Sequence, residues 1–403
     1  MRKNIQHMRT ATRRILVPLL LGATLTLTGC WGVAPLHKTG LVVLLGLDAA
    51  SAGQYQVTVA MINPLGHPLP MQGGPASKQP EVVREATAAD PIIALAEISA
   101  MSYLNLDFTH VRAVIVSEAL AQAGLSPAVD FMERSTEFTT SAWIFIAQGE
   151  SAASVIQQSQ DMLPDAGSVL ASTALWSRAR TEVYPRRLST VLSMVAMHGS
   201  QATTAGMSVD SSQGKGDTKA FALSGLALFR GDRLVGWLHS PAALGWLAAN
   251  DHLSQQVLTL QAQGQTVVLR LLTAHRKVKV THTASGPNLD LQITVAGKIV
   301  AAQAVSTGAP WTSAEALQPV ETEAAAVLTQ DVRVALADAQ ADETDVFSFG
   351  EYVRLQDPPD WTRLQAAWST EGFAHLPIHV HVQVHLRSSG QTIGGIGSAH
   401  QWT

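Results

Sequence analysis

Residues 110–121 read His110-Val111-Arg112-Ala113-Val114-Ile115-Val116-Ser117-Glu118-Ala119-Leu120-Ala121. The short β-branched run predicts a strand over 110–116. Ser117 then opens a helix that stops at Gly124, and Glu118 falls in its first turn, where the helix dipole favours an acid. A strand running straight into a capped helix is the building unit of an α/β layer. The alternation extends in both directions. Upstream, Asp90-Pro91 sets a capping residue before a proline and predicts a helix to about Tyr103. Downstream, Ser126-Pro127 opens a helix through Arg134, Ser141–Ala147 is a strand and Glu150–Gln158 a helix. Residues 165–198 are mostly helical, with Leu188, Leu192, Val195 and Ala196 on one stripe. The expected fold class is mixed α/β (α+β), with mixed sheets flanked by helices.

Further out, Leu41–Leu47 and Tyr55–Ile62 read as a hairpin, with Tyr55, Val57, Val59 and Met61 on one face. Residues 63–80 hold five prolines and form a loop. Residues 199–219, rich in Gly, Ser, Thr and Gln, read as a flexible linker. Beyond them Phe221–Arg230 and Leu234–Leu238 flank the turn Gly231-Asp232; this hairpin either starts a new domain or completes the first sheet. Ser240-Pro241 opens a helix to about Ala249. Separate strands are expected at 257–260, 267–272, 278–281, 289–295 and 299–304. A long helix runs from about Thr312 or Val320 to Gln340, with Val320, Ala324, Val327 and Val334 inward. Trp361–Trp368 is a short helix. In the last strand, Ile378–Leu386, Ile378, Val380, Val382, Val384 and Leu386 share a face. The domain reading is 1–29 a signal peptide, 30–198 an α/β region, 199–219 the linker, and 220–403 a second mixed region with a further split near 305.

The chain has 403 residues, net charge −4 and one cysteine. That residue, Cys30, follows Leu27-Thr28-Gly29 and an apolar run from Ile15, and the first fourteen residues carry Arg2, Lys3, Arg9, Arg13 and Arg14 without an acid. A basic start, a short apolar stretch and small residues before the cut describe an export signal. The run of about 13 residues is shorter than the ~20 that span a bilayer. Leu-Thr-Gly-Cys is a bacterial lipobox, so Cys30 is expected to carry a diacylglycerol thioether and an N-acyl chain after cleavage. The mature chain is then more acidic than the whole, which argues against nucleic acid. No cysteine remains for a disulfide, a metal thiolate or a nucleophile.

Four blocks, in order, carry a resemblance. They are Gly29-Cys30-Trp31 with Gly46-Leu47-Asp48 and Val57–Pro64; residues 110–121 with Phe131-Met132-Glu133-Arg134 and Glu137; Leu223–Gly236; and Asp345-Val346-Phe347-Ser348-Phe349-Gly350 with Trp361, Trp368 and Phe373. Together they resemble the Ger(x)C spore germination lipoproteins, the C subunits of GerA-type germinant receptors. Gly32, Pro35-Leu36 and Thr139-Thr140 depart from the family pattern. The resemblance implies a three-domain mixed α/β ectodomain without enzymatic activity or cofactor. It also implies lipid anchoring on the outer face of the spore inner membrane, with A-type and B-type membrane subunits as partners and nutrient binding mainly on the B-type subunit. The competing reading is a solute-binding lipoprotein that feeds a transporter, which requires two doubly wound lobes around a cleft.

No hydrolase, zincin or phosphate-loop motif is present. His379, His381 and His385 fall on one face of the last strand and form the alternative metal set. Arg387 shares that face and no acid lies nearby, so a solvated face is the reading adopted. Glu118 and Glu137 are considered as a carboxylate pair. Trp361 and Trp368 are expected in the core or at a subdomain interface, with partner contact as the alternative. Trp31 is placed at the headgroup level beside the lipid.

Overall fold

The computed structural model describes residues 38–62, 81–160, 165–210, 220–284, 286–302 and 314–387. Cys30, Trp31, the departures at Gly32 and Pro35-Leu36, and the proline-rich loop lie outside them. Residues Gly40–Thr403 form one unit.

Strand β1 (Thr39–Ala49) returns as β2 (Tyr55–Ile62), and β3 (Glu81–Ala88) pairs antiparallel on β2. Helix α1 (Pro91–Met101) begins as its sequence demands: Asp90 Oδ1 accepts from Ile92 N at 2.8 Å and Pro91 needs no partner. After β4 (Asn105–Asp107) come β5 (Ala113–Ser117), α2 (Glu118–Ala123) and α3 (Ser126–Arg134). Then follow β6 (Trp143–Ala147), α4 (Ala152–Gln158), α5 (Ala166–Arg180), β7 (Arg186–Arg187) and α6 (Leu188–Ala196). Strands β8 (Thr203–Asp210), β9 (Ala220–Arg230) and β10 (Arg233–Leu238) complete a ten-stranded mixed sheet, ordered β10-β9-β8-β6-β5-β1-β2-β3 with β4 on β1 and β7 on β6. At its centre β1, β5, β6 and β8 run parallel. Every residue of β5 and β6 is buried, because helices cover both faces. Leu45, Val57, Val114 and Ile144 face α1, α2, α3 and α6. Leu44, Ile115 and Phe145 face α4 and α5.

The linker expectation fails over Thr203–Asp210, which is β8, whose first five residues are buried. Small and hydroxyl side chains there give no apolar run to read. They are small because the packing is close: a Cβ at Gly206 would lie 2.5 Å from the Ser224 oxygen and 2.6 Å from the Trp237 ring. The hairpin β9–β10 therefore completes the first sheet. Residues 211–219 lie outside the description.

The second sheet is four-stranded, ordered β11 (Val257–Ala262), β12 (Gln265–Thr283), β13 (Gly286–Ala302) and β14 (Ile378–Arg387). The four separate strands expected between 267 and 304 are two long ones, paired throughout. The polar stretch that suggested a break, Thr273–Lys277, pairs in regular register with β13, and the register shifts fall before it, at Val268/Leu269 and Leu271/Thr273, as bulges that bend the ladder without ending it. β14 adds parallel to β13 with alternate residues inward, as its pattern predicts. Helix α7 (Ala242–Ala249) is buried on all sides. Helix α8 (Ala314–Ala341) turns Val320, Ala324, Leu328 and Val332 inward, whereas Val327 and Val334 of the expected stripe are half-buried. Helices α9 (Phe349–Gln356) and α10 (Pro358–Leu364) precede β14. Among the described residues no helix is long and apolar enough to cross a membrane.

Two contacts set stability tests. A Cβ at Gly245 of α7 would lie 2.2 Å from the Asp331 carbonyl oxygen of α8. Gly245→Ala is expected to cost about 1–3 kcal/mol in urea unfolding by overpacking; an unchanged midpoint would contradict this packing. Glu81, 2% exposed, accepts from Ala166 N at 2.5 Å through Oε1, while Oε2 has no partner among the described residues. Burial pushes its carboxyl up to about 7; the Ala166 N–H opposes this and the Asp165 charge adds to it. The folded state thus binds more protons than the unfolded one between pH ~4.5 and ~7, and stability from this group falls as pH rises through that window. Glu81→Gln should flatten that fall and gain on the order of 1–3 kcal/mol at pH 8 relative to pH 5. Equal effects at both pH values would contradict it.

Candidate functional site

The parallel strands end together at one edge of the first sheet. Asp48 of β1, Ser117 at the end of β5 with Glu118 after it, and Gly149, Glu150 and Ser151 after β6 surround a depression of about 660 Å³, with Gln56 and Gln122. Carboxyl ends of parallel strands are the usual place for a ligand crevice. Here, though, the acids are engaged with the fold. Asp48, 4% exposed, accepts from Ala152 N and Ala153 N at 2.8 and 2.9 Å and so seats the start of α4. Glu118 accepts from the Trp237 indole N–H at 2.9 Å. Glu150 takes the Val209 N–H on one oxygen and Ser154 and Gln158 on the other. Glu137 precedes β6 while Glu118 follows β5; the strands are parallel, so the two sit at opposite ends of the sheet and are not a pair. The cleft has polar walls without an acid–base couple.

A second convergence joins the two sheets. Asp345 has no exposed surface; Oδ1 accepts from Phe349 N at 3.0 Å, and Oδ2 from Gly350 N and the Trp368 indole N–H, each at 2.8 Å. Burial raises its carboxyl to about 6 despite those donors. Its carbonyl accepts from Gln201 N at 2.9 Å, Gln201 Oε1 accepts from Gly231 N, and the Ser200 and Ser348 hydroxyls meet at 2.7 Å. Thr344 donates to the Phe229 carbonyl, and Arg230 pairs with Glu343. Gly199, at φ 79°, has no room for a side chain: a Cβ would lie 2.8 Å from the Trp361 ring. Trp361 and Trp368 are 7% and 3% exposed with ring centroids 5.5 Å apart, so they belong to this interior joint and the partner-surface alternative is corrected for both. Asp232 plays a similar part between blocks, accepting from Leu125 N and Ser126 N.

The sequence reading missed a third cluster. His282 near the end of β12 donates from Nδ1 to Asp357 Oδ2 (3.1 Å) and Asp360 Oδ2 (2.9 Å), and Arg363 donates to Asp360 Oδ1 (2.7 Å). The hydrogen bond that the imidazole gives to Asp357, then the one it gives to Asp360, holds it above its ordinary pKa. Among the described residues this is the one group of three metal-capable side chains with ligand atoms within 4.8 Å of one another. Neither aspartate stood out in the sequence, and the histidine arrives from a strand some 75 positions away. The candidate set His379, His381 and His385 is exposed along β14 beside Gln383 and Arg387 and is not drawn together.

Comparison with known proteins bears on both halves. The family model for the spore germination protein N-terminal domain matches residues 33–209, and that for the spore germination B3/GerAC-like C-terminal domain matches 224–390. Spore germination protein KC of Bacillus subtilis (strain 168) is 22% identical over 392 residues, covering 93% of this chain and 96% of that protein. YfkR of the same organism is 23% identical over 230 residues, 57% of this chain and 58% of that protein. The crystal structure of the GerBC protein covers 85% of this chain and 96% of its own, with a TM-score of 0.55 at 17% identity, a likeness of fold.

Replacing Asp345 by Ala leaves two amides and an indole N–H buried without an acceptor, each worth about 1–3 kcal/mol. The expected loss in urea unfolding is about 3 kcal/mol or more. Asp345→Asn, which sets an amide NH₂ against the same donors, should also lose stability. A change below about 1 kcal/mol in both would contradict the joint.

Proposed function

The chain belongs to the GerAC-like family of spore germination proteins, and from that premise we propose that it is a lipid-anchored, non-enzymatic subunit of a nutrient germinant receptor. Cys30 is the anchor, and the folded body lies outside the membrane and works by assembly with A-type and B-type membrane subunits. The observation that carries the non-catalytic part is the use made of the motif acids. Asp48, Asp232, Asp345 and Glu118 each accept hydrogen bonds that hold one element of the fold to another. A general acid or base needs a titrating group within reach of a substrate proton, and these carboxylates face backbone and indole donors.

The anchor follows from the lipobox. Two acyl chains, at ~0.8 kcal/mol per buried CH₂, hold a protein stably where one holds it marginally. Confinement to the membrane plane raises the effective concentration of partners, so a modest contact suffices for assembly. The transporter-feeding alternative required two doubly wound lobes; the second sheet is instead antiparallel over β11–β13 with one parallel strand added.

Cys30→Ala is expected to lose the protein from the membrane fraction and to slow nutrient-triggered germination. Membrane retention and germination equal to the parent strain would contradict the proposal.

A further inference from the structure

His282, Asp357 and Asp360 take no part in the receptor reading, and they converge more closely than an ordinary surface ion pair. The Asp357 and Asp360 side chains are 7% and 6% exposed, so both carboxylates are withdrawn from water. Buried charges in proteins are paired or bind a metal. Each carboxylate divides its oxygens between two tasks. One oxygen serves the local fold: Asp357 Oδ1 accepts from Asp360 N at 3.4 Å, and Asp360 Oδ1 accepts from Arg363 at 2.7 Å. The other, Oδ2 in both, is aimed at a single atom, His282 Nδ1, at 3.1 and 2.9 Å. One N–H serves two acceptors there and cannot point straight at both.

The separations are close to those of a coordination shell. Imidazole nitrogen and carboxylate oxygen bind zinc at about 2.0–2.2 Å, which sets neighbouring ligands of a tetrahedron roughly 3.3–3.6 Å apart. The two N···O separations fall a few tenths of an ångström short of that, and all three ligand atoms lie within 4.8 Å of one another. The imidazole can make up the difference, because the His282 side chain is 64% exposed near the end of its strand. Calcium takes roughly six to eight oxygens and magnesium an octahedron of them, so one nitrogen with two carboxylates suits zinc better. The bonds from Asp360 N and Arg363 to the remaining oxygens are the kind of outer contact that orients a ligating carboxylate.

We propose that His282 Nδ1, Asp357 Oδ2 and Asp360 Oδ2 form a zinc site, with water in the fourth position. Zinc takes the place of the Nδ1 proton, which passes to Nε2 or to solvent. A divalent ion then faces two carboxylates where one shared proton stood. The ion ties the end of β12 to α10. Arg363 lies against the same hairpin, since a Cβ at Gly286 would be 3.4 Å from its Nη2. Nothing in this site depends on the lipid anchor or on a partner subunit.

Zinc chloride is titrated by calorimetry into the chelator-stripped full chain, its His282→Gln variant, and a variant carrying His379→Gln, His381→Gln and His385→Gln together. The last removes the rival histidines of β14. The parent and the β14 variant are expected to bind one equivalent alike. His282→Gln should bind more weakly by at least the roughly tenfold that loss of an outer contact costs. X-ray absorption at the zinc edge of the loaded parent should show one imidazole, with the remaining neighbours oxygen at about 2.0–2.2 Å. Binding unchanged in His282→Gln, binding lost in the β14 variant, or two or more imidazoles around the zinc would overturn the site. No heat above dilution from the parent chain would overturn it as well.

Discussion

A carboxylate with no access to water must find its partners inside the protein, and Asp345 finds three. Removing an ionised carboxyl from water costs several kcal/mol unless hydrogen bonds replace the solvent. Two backbone N–H groups and an indole N–H do so, from residues 349, 350 and 368. That demand fixes the turn before α9, the position of Trp368 and the close approach of Gly199 to Gly350. Through the backbone of 345 and the side chain of Gln201 it also fixes the carboxyl-terminal helices against β8 and β9. Much of what joins the two sheets depends on this one buried group.

The other motif acids repeat the pattern on a smaller scale. Asp48 seats α4 over the end of β1, Asp232 holds the start of α3 to the β9–β10 turn, and Glu118 fixes the Trp237 ring. A body built this way is tied together by hydrogen bonds where its blocks meet. The boundary between the two family models falls between β8 and β9, strands paired along eight residues of one sheet. The halves are thus distinct in sequence and continuous in structure.

Much of this was legible in the residues. Asp90-Pro91 announced α1, the alternation from Ile378 announced β14, and Gly231-Asp232 announced the β9–β10 turn, because each signal is local. What failed depended on distance or on close packing. β8 read as linker because its Thr, Ala and Gly residues are chosen for lack of space beside Ser224 and Trp237. β12 and β13 read as four strands because residues such as His275, Arg276 and Lys277 interrupt the apolar pattern while the ladder continues. Glu118 and Glu137 looked like neighbours in sequence, yet a helix pair carries the chain from one end of the sheet to the other between them. The His282 cluster had no sequence signature, since its members meet only when the β12–β13 hairpin reaches α10.

Native-state hydrogen exchange on the folded chain tests most directly whether the two sheets are one cooperative body held at Asp345. The account predicts that the amides of Gln201, Phe349 and Gly350 exchange only through global opening, with the same free energy as the β5–β6 core. Exchange of those three amides at markedly lower free energy, with the β5–β6 core still protected, would contradict it.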